Sequence, residues 1–172
     1  MKKLLIFIFV LGLSGLSYAQ ASLEVAKELE LEGITLMPAN LSYLSVVSSG
    51  VEATRVINLQ RKAASYNITK SPVYDKKEQY YEFSFDQKDD NIFATYDRAG
   101  RIVNSRERYK DIILSPAVRN AVFKAYPGWD MEGNSYSVFY TSGKDPKKIY
   151  KLHLRKGDQK KRIKCDANGK IK

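Results

Sequence analysis

The sequence predicts an α+β fold built from two tandem helix-plus-antiparallel-meander units, with the helices packed on one face of a shared or continuous antiparallel sheet. Three observations predict it. Thr54 to Tyr66 carries Val56, Leu59, Ala63 and Tyr66 on one helical stripe, and strand-like segments follow. Ser115 to Tyr126 repeats the pattern, stops at Pro127 and Gly128, and again leads into alternating segments. Each half also contains an Asp-x-x-Gly turn, at Asp97 to Gly100 and at Asp166 to Gly169.

The elements follow in order. Residues 1–19 read as a cleavable signal peptide: a basic start at Lys2 and Lys3, an apolar run from Leu4 to Leu13, and a small-residue cleavage site at Ala19. With no cysteine near that site, a lipoprotein anchor is not expected. Residues 20–39 form an N-terminal arm, and the stretch from Gly33 to Val47, broken by Pro38, reads as one or two edge strands. Residues 40–110 make the first unit. Its helix is preceded by Ser49 and Glu52 at the spacing of a capping box. Tyr81, Phe83 and Phe85 alternate with Tyr80, Glu82, Ser84 and Asp86, as in a half-buried strand. Ile92 to Tyr96 and Arg101 to Tyr109 complete that meander.

Residues 111–172 make the second unit. Ser115 is an N-cap and Pro116 fills the first helical position. Val118, Val122 and Ala125 form the apolar stripe. Tyr136, Val138 and Tyr140 alternate on the next strand, and Tyr150, Leu152 and Leu154 on the one after. Ile163 and Cys165 then face inward, before the turn at Asp166 to Gly169 and a short final strand.

Charge is unevenly placed. The chain carries +10 overall, yet residues 146–172 hold eleven Lys or Arg against two Asp, or +9. A basic region of that kind suits a protein surface or an anionic envelope component as partner. Alternation fixes which residues point outward: Lys151, His153 and Arg155, then Arg162 and Lys164, with Arg106 and Arg108 joining them if the units share one sheet. These seven are the candidate partner-binding face, with Tyr and Trp expected at its edges. The same residues also suit a solvated face whose lysines deter edge pairing.

No catalytic residue, cofactor or metal is expected. His153 is the single histidine and Cys165 the single cysteine, and alternation puts them on opposite faces, which disfavours a thiol–imidazole pair. The Asp-x-x-Gly segments lack the further oxygen ligands of a calcium loop. There is no phosphate-cradling glycine loop, and the secretory route argues against nucleic acid. No disulfide can form within the chain, so its core must hold it.

The run from Leu114 through Ser115, Pro116, Ala117 and Val118 to Tyr126, Pro127 and Gly128 resembles the helix signature of PepSY-like, β-lactamase-inhibitor-protein-like domains. Tyr150 to Gly157, and Ile163 to Ile171 with its Asp-x-x-Gly-Lys turn, resemble that family's final strands. Small secreted proteins of this kind are common in Bacteroidetes, flavobacteria in particular. The resemblance covers residues 114–172 well and 40–110 weakly. It implies a helix on an antiparallel sheet, used twice, and a secreted or periplasmic protein that grips a partner across the sheet. Some relatives bear the label of nicotinate-nucleotide adenylyltransferase. This chain lacks the His-x-Gly-His motif and the βαβ pattern of that chemistry, so that activity is not expected. The function expected is therefore non-enzymatic binding of a protein or anionic envelope partner. An envelope hydrolase with an unrecognised site and a structural or chaperone-like module are the alternatives.

Overall fold

A computed structural model describes residues 40–172 except 49 and 51. The signal peptide, the arm over 20–39 and the capping serine Ser49 lie outside the described residues. Six strands make one antiparallel sheet in the order β1-β2-β3-β4-β5-β6: β1 Tyr80–Gln87, β2 Asp90–Asp97, β3 Ile102–Lys110, β4 Asp130–Thr141, β5 Lys147–Lys156 and β6 Gln159–Asp166. The helices are α1 Leu41–Val47, α2 Thr54–Ser65 and α3 Pro116–Ala125, with a 3-10 turn at Ile68–Lys70. The α+β class and the antiparallel sheet match the expectation.

The segment from Leu41 to Val47 is a helix, not an edge strand. Its buried residues explain the difference. Tyr43 and Val47 are four apart, on one helical face, and both are buried. Asn40 sets the start of this helix against the sheet. Its amide donates to the carbonyls of Ala64 at 3.1 Å and Gly100 at 2.9 Å, and its oxygen accepts from the Ile102 amide at 2.7 Å. The expected capping box does not close α2 either. The helix begins after Ala53, with no side-chain cap. Glu52 instead pairs with Lys148 at 3.5 Å, with both side chains largely buried.

α3 forms as its sequence dictates. Ser115 Oγ accepts from the Val118 amide at 3.4 Å, Pro116 opens the helix, and Gly128 follows it with φ +75°. Val118 and Val122 are its buried face.

The core lies between the helices and one face of the sheet. Tyr81, Ile92, Ala94, Tyr96, Tyr109, Tyr136, Val138, Leu152, Leu154 and Cys165 point into it, joined by Val56, Leu59 and Ala63 of α2. Tyr136 stacks between Tyr109 at 5.9 Å and Tyr150 at 4.5 Å, while Tyr43 meets the edge of Tyr140 at 5.1 Å. Burying rings of this size supplies much of the apolar contact that a chain without disulfides needs.

The two Asp-x-x-Gly segments are turns of one design. Asp97 Oδ1 accepts from the amides of Ala99 at 2.9 Å and Arg101 at 3.0 Å. Asp166 Oδ1 accepts from those of Asn168 and Lys170, both at 3.0 Å. One oxygen of each carboxylate is thereby held by backbone amides, and Asp97 Oδ2 also accepts from the Arg101 guanidinium at 2.7 Å. The first turn joins β2 to β3. The second leads to a single bridge between Cys165 and Ile171 in place of the expected final strand.

Candidate functional site

The face of the sheet opposite the helices is built by the alternate residues of each strand. Its cross-strand rows follow from the register. One row runs Ser84, Phe93, Arg106, Phe139, Lys147; the next runs Asp86, Asn91, Arg108, Ser137, Ile149, Asp166. Beyond them Lys110, Ser135, Lys151 and Lys164 form a row, and then His153 faces Arg162 and Arg155 faces Lys160.

The seven expected residues all lie on this face, and all are exposed. The structure gathers five of them on two strands: Lys151, His153 and Arg155 on β5, with Arg162 and Lys164 on β6. Arg106 and Arg108 stand on β3, separated from the others by β4 and its Ser135, Ser137 and Phe139. Arg155 is tied down, to Glu132 at 3.1 Å and to the Gly157 carbonyl at 2.8 Å. Among the described residues no carboxylate pairs with Lys151, Lys160, Arg162 or Lys164.

Sequence reasoning missed three residues on this face. Lys160 extends the basic ladder. Phe93 and Phe139 are 56% and 41% exposed, and each stands directly across from Arg106. The inward alternation of Ile92, Ala94 and Tyr96 is the sign by which Phe93 is outward. Of the expected edge aromatics, Tyr80 lies on this face, on the outer strand β1, and Trp129 does not. Trp129 packs against the core beside Tyr126, with the Lys161 ammonium 5.5 Å from its ring, on the helix side of the sheet. The exposed phenyl rings of β2 and β4 stand further in, in the middle of the face. A shallow depression of about 270 Å³ lies between Glu82, Phe93, Thr95, Asn104 and Arg106.

The other charged cluster is internal. Glu107 is fully buried, and its carboxylate accepts four hydrogen bonds: from Tyr43 at 2.6 Å, Ser105 at 3.1 Å, Gln60 at 2.7 Å and Tyr109 at 2.7 Å. Burial raises its pKa above the ordinary carboxyl value, and the four donors partly offset that. Burial and the Glu107 charge push the Tyr43 and Tyr109 hydroxyls well above the usual phenol range. Glu107 falls between the outward Arg106 and Arg108, so its inward direction is legible from alternation. Its partners come from α1 and α2 and are not.

Asp90 is likewise buried. It pairs with Arg55 of α2 and accepts from the Lys110 amide at 3.0 Å, while Arg55 also donates to the Lys110 carbonyl. Both acids are buried and engaged in holding helices to the sheet. Cys165 is buried, its thiol pushed up to about 11, and alternation sets it on the face opposite His153. Among the described residues no group of three potential ligands is placed to hold a metal ion, and no helix is long and apolar enough to cross a membrane.

Compared with known proteins, the chain matches no family, no curated protein and no solved structure.

Proposed function

We propose that this is a non-enzymatic binding protein of the periplasm or the extracellular space, docking a protein or anionic envelope partner on the helix-free face of its sheet. One observation carries the reading. The face is open to solvent and combines exposed cations with the phenyl rings of Phe93 and Phe139 around Arg106. Arginine and aromatic side chains give large, rigid contact area and charge-assisted hydrogen bonds, which is why they concentrate at binding surfaces. Surface phenyl groups set in the middle of a sheet have no role in the core beneath it.

The tandem reading belongs here too. The element order sets α2 before β1–β3 and α3 before β4–β6, which supports two helix-plus-meander units, the second PepSY-like. Capture from an envelope extract tests the function. Reversing charge at Arg155, Arg162 and Lys164 is expected to remove the captured partner; a captured set identical to that of the unaltered protein contradicts the proposal.

A second reading has its own observation. β1 is an outer strand whose sequence, Tyr80–Gln87, contains neither lysine nor proline, the usual protections of a sheet edge. A chaperone-like module that pairs this edge with another chain would bind through backbone hydrogen bonds. Capture that persists in high salt favours that reading over the electrostatic one.

A further inference from the structure

We infer that the β5–β6 hairpin is a binding site for a linear acidic polysaccharide, one with an anionic group on each sugar unit. The inference rests on the sheet-face reading above and narrows it to two strands and one ligand chemistry. The register sets Lys151 against Lys164, His153 against Arg162 and Arg155 against Lys160. Like charges directly opposite one another destabilise a sheet. Two of these three pairs oppose cation to cation on adjacent strands, and among the described residues only Arg155 of these has a carboxylate partner, Glu132. The folded chain therefore carries a repulsion that an anionic ligand relieves.

The shape of the stripe selects the ligand. Successive outward residues lie about 7 Å apart along a strand, and the strands lie about 5 Å apart. Cations thus recur in a narrow, straight ladder suited to a chain with regularly repeated charge. His153 in its middle offers a ring N–H donor in either protonation state. The ladder contains no exposed large apolar side chain among the described residues, so it offers nothing to insert into a bilayer. Its free charges are mostly lysine, which protein–protein interfaces avoid. Arg106, between two phenyl rings, has the opposite character and lies outside the ladder.

The test is direct titration of the full chain with polygalacturonate and dextran sulfate at 0.15 M salt, where screening acts over about 8 Å. Neutral dextran, polyglutamate and vesicles of phosphatidylglycerol with phosphatidylcholine serve as comparisons. Two variants remove the same charge: K151S/R162S/K164S on the ladder and K62S/R119S/K124S, all exposed, on the helix side. The ladder variant is expected to bind the acidic polysaccharides at least tenfold more weakly, and the helix-side variant within about twofold of the unaltered protein. The ladder variant is also expected to melt about 2 °C higher at low salt without ligand, as repulsion is removed. That second reading shows that it is folded.

Equal weakening by both variants overturns the inference in favour of net charge alone. Preference for vesicles or polyglutamate overturns it in favour of a membrane or an acidic protein. Absence of polysaccharide binding, with envelope capture intact, overturns it and leaves the broader binding-face proposal standing.

Discussion

Replacing Glu107 by alanine is expected to cost about 4 kcal/mol or more of folding stability, measured by urea unfolding. The carboxylate is the common acceptor for Tyr43 of α1, Gln60 of α2, and Ser105 and Tyr109 of β3. Removing it leaves four donors in a site without water access, each costing roughly 1–3 kcal/mol if unpaired, and leaves a cavity as well. A net stability of about 5–15 kcal/mol makes such a loss close to unfolding. The cost should be strongly non-additive. Tyr43→Phe in the Glu107→Ala background is expected to cost much less than in the unaltered protein, because its hydroxyl has already lost its acceptor. Equal costs in the two backgrounds would show that the network is not the source.

Glu107→Gln isolates the charge. The folded carboxyl has a pKa raised above the 4.5 of an ordinary glutamate, because burial disfavours its ionised form. The folded state therefore holds the proton more tightly than the unfolded state. The resulting stabilisation is complete below about 4.5 and is lost as pH rises through the folded pKa. Relative to Glu107→Gln, the unaltered protein is expected to lose stability over that window and then level off. A difference that is constant with pH, or that grows in favour of glutamate, contradicts this. Gln60 gives a structural reason for tolerance of the glutamine: its own Oε1 is buried without a hydrogen-bond partner and is available to a new donor.

Gly169→Ala is expected to cost about 2–4 kcal/mol. Gly169 has φ +82°, where a Cβ is strained, and that Cβ would lie 2.7 Å from the Ala117 carbonyl oxygen and 2.9 Å from Ala121 Cβ. Both neighbours belong to α3 and one is backbone, so the turn after β6 would have to leave the helix. Gly157→Ala supplies the comparison. Its φ is +56° but no atom lies within 4 Å of the added carbon, so about 1 kcal/mol of backbone strain is expected. Thermal melts of the two variants separate the terms; equal losses would mean that contact with α3 contributes nothing.

The helices and strands from Thr54 onward were legible because their burial is periodic. Val118 and Val122 sit a helical turn apart, and Tyr150, Leu152 and Leu154 alternate. The segment before them was not. Leu41 to Val47 is short and its helical character depends on Tyr43 reaching Glu107, sixty-four residues away. Glu52 has capping-box spacing, yet tertiary pairing with Lys148 decides its place. The turns were legible, but their alignment was not. Asp97 ends the second strand after α2, whereas Asp166 ends the third strand after α3, so the two turns do not stand at the same place in the two halves. On the candidate face, alternation gave the direction of the seven expected residues. Only the register shows that they divide into a β5–β6 ladder and an arginine held between two phenylalanines.

The central claim is that the helix-free sheet face, and not the chain's overall charge, makes the interaction. Two charge-reversal variants with the same change in net charge test it: Arg106, Lys151 and Arg162 to glutamate on the sheet face, and Lys62, Arg119 and Lys124 to glutamate on the helix side. All six side chains are exposed. Capture from an envelope extract at physiological salt is expected to be lost by the first variant and kept by the second. Loss in both, or loss only in the helix-side variant, would contradict the account.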